Sequence, residues 1–167
     1  MRLIGFLIAA LLFTAPVQAQ EWKEYSYRDD GFTVHFPGAP KVEDVTYKTM
    51  DGTSVKARTY SLEQDSTMLA VTVADFSSLK MSEENAIEQA VKQLISEGEV
   101  KVDIPHRIDS TYGRQLTIYG KDGSRSSIAV FYRNNKLYLA NGKILPTNSD
   151  MASGDGVRFQ QTLGWMQ

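Results

Sequence analysis

The chain has 167 residues, sets 18 Lys and Arg against 20 Asp and Glu for a formal charge of −2, and contains no cysteine. The charges are interspersed without a basic run or stripe, which excludes the electrostatic footprint of nucleic-acid binding and of a polybasic membrane contact. The missing thiols exclude a disulfide framework and any thiol enzyme.

Arg2 supplies one positive charge, and residues 3–13 follow without a polar group. Pro16 breaks the run, and Val17-Gln18-Ala19 provides a small-x-small site. A charged start, a short apolar stretch and small residues before a cut describe an export signal. The apolar stretch is well short of the roughly twenty residues a helix needs to span a bilayer. The expectation is a signal peptide over 1–19, cleaved after Ala19, that delivers residues 20–167 to the periplasm or the exterior. That segment is expected to form a single domain with no stable membrane anchor after cleavage. With no cysteine, it must be held together by core packing alone.

Residues 22–27 are rich in aromatics and lead into the turn signal Asp29-Asp30-Gly31. Phe32, Val34 and Phe36 then alternate with Thr33 and His35, the pattern of a half-buried strand, which Pro37-Gly38-Ala39-Pro40 ends. Residues 42–50 and 53–62 read as a hairpin about Asp51-Gly52, because glycine accepts positive φ. Residues 68–76 are apolar at nearly every position and predict a central strand covered on both faces.

Ser82 opens a predicted helix, its hydroxyl able to cap the first turn and Glu83 and Glu84 complementing the helix dipole. Ile87, Ala90, Val91, Leu94 and Ile95 form its apolar stripe, Glu88 and Lys92 pair on the wet side, and Gly98 ends it. Further strands follow. One alternates through Val100, Val102 and Ile104 up to Pro105; another carries Leu116 and Ile118; residues 128–133 and 136–145 pair across Asn134-Asn135. Residues 146–156 read as a polar loop, after which Val157, Phe159, Gln160 and Leu163 suggest a short helix with Trp165 at its end. The order predicts an α+β fold: an antiparallel sheet of about six to eight strands, with a mid-chain helix and a C-terminal helix packed against it.

Three stretches carry a resemblance. Asp30-Gly31-Phe32-Thr33-Val34-His35-Phe36-Pro37-Gly38-Ala39-Pro40 resembles the GFxVxFPGxP opening of a broad group of bacterial exported proteins of unknown function. Tyr112-Gly113-Arg114-Gln115 resembles that group's GxxGRE turn, and Arg158-Phe159-Gln160-Gln161-Thr162-Leu163 its closing RFLxSF helix. Gln115 and Leu163 stand where the group more often has Glu and Phe. The group is similar in fold to the Mog1/PsbP class, which includes a nuclear-GTPase-binding protein and an extrinsic photosystem subunit. The resemblance therefore implies an accessory binding role rather than catalysis.

Chemistry-bearing residues are sparse. Only His35 and His106 are available as imidazoles, and without cysteine a zinc site would need both together with a carboxylate. Gly-x-Ser-x-Gly is absent, and Asn148, Asp150 and Asp155 lack calcium-loop spacing. No catalytic, metal or cofactor residue is assigned, and no cofactor is expected. Arg114 is the candidate anion or ligand contact, and Tyr119, Tyr132 and Tyr138 are the candidate interface tyrosines. The leading expectation is a non-catalytic envelope module that binds a protein partner or small ligand through a sheet face or the loop from Asn148 to Gly156. The alternative is a hydrolase whose site is assembled from distant residues such as His35, His106 and Asp150.

Overall fold

The computed structural model describes residues 21–64, 66–146 and 153–166. A seven-stranded antiparallel sheet forms the centre, built from β3 (Lys41–Lys48), β4 (Ser54–Gln64), β5 (Thr67–Asp75), β6 (Gly98–Ile108), β7 (Thr111–Gly120), β8 (Arg125–Arg133) and β9 (Lys136–Ile144). Across the sheet they run β3-β4-β5-β9-β8-β7-β6. A second sheet of three strands sets β2 (Phe32–Phe36) between β1 (Lys23–Tyr27) and β10 (Gly164–Trp165). Among the described residues two α-helices complete the fold, α1 (Glu83–Ile95) and α2 (Ser153–Gln160).

The large sheet is covered on both faces, and the alternation of its strands decides which residues meet which layer. On β8, Ile128, Val130 and Tyr132 join Ala86, Ala90 and Val91 of α1, while Ala129 and Phe131 point into the opposite layer. That second layer holds Phe32, Val34 and Phe36 of β2, with Phe159 and Leu163 from α2 and the turn after it. The three β2 residues are fully buried, as a strict alternation requires. The rings of Phe36 and Phe159 lie 4.9 Å apart, and Trp165 stands 5.0 Å from Tyr138 and 5.5 Å from Phe131. Burying side chains of this size contributes about 1.5–3 kcal/mol each.

Turn chemistry fixes the register. Asn134 and Asn135 both adopt left-handed backbone, φ 51° and 58°, and join β8 to β9 in the tight hairpin their sequence predicts. Ser82 Oγ accepts the Asn85 amide at 3.3 Å and caps α1, and Lys92 meets Glu88 at 2.8 Å on its exposed side.

Several expectations are corrected. The aromatic N-terminal strands pair with the C-terminal β10 as a second, smaller sheet beside the expected large one. β5 is central, as expected, with Leu69, Val71 and Val73 in one layer and Ala74 in the other, but its second face is buried less completely and Met68 is 40% exposed. On α1 the expected Ile87, Ala90, Val91 and Leu94 pack into the layer, joined by Ala86, while Ile95 is 37% exposed. Gly98 is not the end of α1: the helix stops at Ser96, whose hydroxyl donates to Gln93 O, and Gly98 starts β6. A Cβ on Gly98 would sit 2.2 Å from Tyr119 O, so packing against β7 requires the glycine. β6 also continues past Pro105 to Ile108, which an edge strand tolerates because proline's missing N–H can face outward. Finally, α2 begins at Ser153, so residues 153–156 are helical rather than loop.

Candidate functional site

The expected site residues are scattered. Arg114 lies on β7 and donates from Nε to Asp103 Oδ1 at 2.9 Å. Its cavity, about 460 Å³ between β7 and the start of α1, is also lined by Glu83, Glu84 and Glu88, whose charges oppose an anionic ligand. Tyr119 is 42% exposed, with Lys101 Nζ 5.5 Å and Arg125 Cζ 5.9 Å from its ring centre. Tyr132 is buried in the layer under α1 and Tyr138 in the layer under the small sheet. The three tyrosines therefore do not share one face.

The histidines are held by different neighbours. On β2, His35 Nε2 stands 3.5 Å from Glu24 Oε2, and on β6 the His106 ring packs 5.4 Å from Phe131. Burial lowers the His106 pKa and favours the neutral imidazole. Asp150 and the first part of the loop from Asn148 to Gly156 lie outside the described residues. Among the described residues no group of three or more Asp, Glu or His is placed to hold a metal ion.

What the fold does assemble is a charged cluster around Asp30. The chain leaves β1 through a single tight turn, residues 28–30, and Gly31 closes it in left-handed backbone at φ 71°. This sets Asp30 against the large sheet with its side chain only 11% accessible. Lys136, the first residue of β9, donates to Asp30 Oδ1 at 2.7 Å and to the Asp29 carbonyl at 2.9 Å. The Tyr60 hydroxyl donates to Asp30 Oδ2, and Arg58 reaches the same oxygen at 3.5 Å. Tyr138 donates to the Asp30 carbonyl at 2.8 Å, and Arg58 Nε holds Asp44 Oδ1 at 3.0 Å. One aspartate thus ties the small sheet to β4 and β9, and through Arg58 to β3.

Taking a carboxylate out of water costs several kcal/mol unless hydrogen bonds and opposite charge replace its hydration. Burial alone would raise the Asp30 pKa, but the Lys136 and Tyr60 hydrogen bonds and the Lys136 and Arg58 charges outweigh it and hold the carboxyl below its usual range. Burial, reinforced by the bond to Asp30, raises the Tyr60 hydroxyl well above the ordinary phenol value. Burial also raises Tyr138, with help from the Asp30 charge, to about 12. A general acid or base works best with a pKa near the working pH. Here Asp30 stays ionised and the phenols stay protonated at neutral pH. The arrangement therefore presents fixed charge rather than exchangeable protons.

Beside this cluster opens a groove of about 490 Å³, lined by Asp30, Asp44, Lys56, Arg58, Asp75 and Lys136 together with the apolar Val45, Ala57 and Val73. Arg58 and Lys136 are already engaged, whereas Lys56 has no hydrogen bond or ion pair among the described residues. The sequence offered one signal for this site: Arg58, Tyr60 and Leu62 fall on one face of one strand, so that face carries a charge beside buried rings. Asp30 reads in sequence only as a turn residue.

No family model and no curated protein matches the chain in sequence. In structure it is similar to the cyanobacterial PsbP protein CyanoP from Synechocystis sp. PCC 6803, known from a solution structure, with a TM-score of 0.58 and 16% identity. The match covers 90% of this chain and 96% of that one. The fold is thus PsbP-like, as the sequence resemblance implied.

Proposed function

We propose that this protein is an exported, non-catalytic accessory module of the bacterial cell envelope that works by binding a partner protein at the charged groove beside Asp30. The observation that carries this reading is the geometry of the Asp30 cluster: its carboxylate is held by Lys136, Arg58 and the buried Tyr60 hydroxyl, and Asp30, Arg58 and Lys136 line one opening together with Asp44, Lys56 and Asp75. Such a site recognises complementary charge and gives little to proton transfer. The PsbP-like fold supports an accessory role by analogy. The GFxVxFPGxP stretch at the start of β2 and the leader-like residues 1–19 support membership of the exported bacterial group and delivery to the envelope.

The test pairs a location with a contact. Recovery of the protein from the periplasmic or extracellular fraction, beginning at Gln20, is the expected outcome. Capture experiments on that fraction should then retain a partner with the native protein and lose it with Lys56→Glu, which reverses a groove cation that holds no hydrogen bond or ion pair among the described residues. A protein that stays in the cytoplasm, or a captured set unchanged by Lys56→Glu, overturns the proposal.

A further inference from the structure

The two edges of the seven-stranded sheet are built differently. β6 carries Pro105, which has no N–H to offer, and a register shift between Val100 and Val102. Both devices keep a sheet edge from pairing with another chain. β3 carries neither. Its eight residues run in unbroken register along β4, and no described strand pairs its outer side. Every β3 residue but Tyr47 is exposed, with Val42 at 49% and Val45 at 40%.

We propose that β3 is a self-pairing edge, through which two copies of this chain join into one continuous sheet about a two-fold axis at Thr46. In an antiparallel pair of identical strands, a two-fold axis normal to the sheet sets one residue opposite its own copy. The charges of β3 then discriminate between registers. An axis at Glu43 or Asp44 sets a carboxylate against its copy. An axis at Val45 leaves Lys48 opposite Val42 and Tyr47 opposite Glu43. An axis at Val42 pairs Lys41 with Glu43, but only three residues overlap, and those two groups already meet within one chain at 2.7 Å.

An axis at Thr46 meets every requirement at once. It sets Lys48 opposite Asp44 of the second copy, twice, and Val45 opposite Tyr47, twice, with threonine against threonine at the centre. Opposite charges, aromatic with β-branched side chains, and paired threonines are the favourable cross-strand combinations. The groups are available: Lys48 has no ion pair among the described residues, and Asp44 is 83% accessible and holds Arg58 through one oxygen only. Adding a strand to an open edge also supplies main-chain hydrogen bonds along its length.

The natural absence of cysteine makes the register directly readable. Residues directly opposite in an antiparallel pair have Cα atoms about 4.5–5.5 Å apart, within the range of about 4.4–6.8 Å that a disulfide spans. In the proposed register two copies of residue 42 lie eight positions apart, roughly 27 Å. Under mild oxidation the full purified protein carrying Thr46→Cys should convert to a covalent dimer, while Val42→Cys should stay monomeric. By sedimentation the native protein should dimerise with concentration. Lys48→Asp should weaken that association at least tenfold, and Asp44→Lys with Lys48→Asp should restore it. Asp44→Lys also disturbs Arg58, so near-UV circular dichroism verifies the fold, and the cysteine readout does not depend on it. A native protein that is monomeric throughout, cross-linking at 42 equal to that at 46, or association indifferent to Lys48→Asp overturns the proposal. None of these readouts involves the partner-capture experiment, so the two proposals fail separately.

Discussion

Gly142 of β9 and Gly156 of α2 meet backbone to backbone. A Cβ built on Gly142 would fall 2.4 Å from Gly156 Cα, and one built on Gly156 would fall 2.6 Å from Gly142 O. The contact lets α2 lie flat on the sheet and drive Phe159 fully into the layer beneath it. A glycine inside a predicted strand and one that reads as loop in sequence together form a helix-to-strand seam.

Gly142→Ala and Gly156→Ala should therefore both destabilise the protein, by the roughly 1–3 kcal/mol typical of overpacking. At Gly156 the better helix propensity of alanine offsets up to about 1 kcal/mol of that cost. Gly154, in the same helix, has nothing within 4 Å of a built Cβ, so Gly154→Ala should leave stability unchanged or raise it slightly. Thermal unfolding of the three variants checks the contrast, and equal effects at 154 and 156 would contradict the seam.

Asp30→Asn should cost about 3 kcal/mol at neutral pH, the lower end for removing one partner of a buried charge cluster, because Lys136 and Arg58 keep some solvent access. The pH dependence follows from the sign of the shift. Asp30 is lowered in the folded state, so its contribution is present above the unfolded value of about 3.9 and is lost as pH falls through the lower folded value. Denaturant titrations from pH 6 to pH 2 should show a shallower acid loss for Asp30→Asn than for the native protein.

His106 acts in a higher window. Burial lowers its folded pKa, so the unfolded chain binds a proton first as pH falls below about 6.5, and stability declines from there down to the folded value. His106→Gln should flatten that part of the profile. A nuclear magnetic resonance titration of the native imidazole should give a midpoint below the ordinary histidine value, and a midpoint above it would refute the assignment.

At the β8–β9 turn, Asn135→Ala should destabilise by about 1 kcal/mol, the cost of forcing a Cβ-bearing residue without a local polar side chain into left-handed backbone. Asn135→Gly should be neutral or better, since φ 58° is freely open to glycine. Chemical denaturation of the pair checks both signs.

Local order along the chain was legible wherever a periodicity or a turn residue spoke for itself. The alternation of Phe32, Val34 and Phe36, the Asn134-Asn135 hairpin and the Ser82 cap each depend on neighbours a few positions away, and each stands where the sequence puts it. The α+β order and the approximate strand number followed from summing such signals. Pro105 misled because proline's penalty depends on whether its strand is an edge, which is a property of the sheet and not of the strand. Gly98 and Gly156 misled for a related reason: each is needed by a backbone that approaches from another part of the chain.

The candidate site lay almost wholly beyond that reach. Asp30, Tyr60 and Lys136 are 30 and 76 positions apart in turn, and no periodicity links them. They meet because β10 and β1 flank β2 in a separate sheet, which delivers the turn after β1 to the middle of β4 and the start of β9. Composition, alternation and turn chemistry are short-range properties of a chain, so the sequence by itself determined the elements and the class of fold. Which charge is buried, which cation neutralises it and which strand edge is left open are long-range outcomes of packing, and only the tertiary structure decided them.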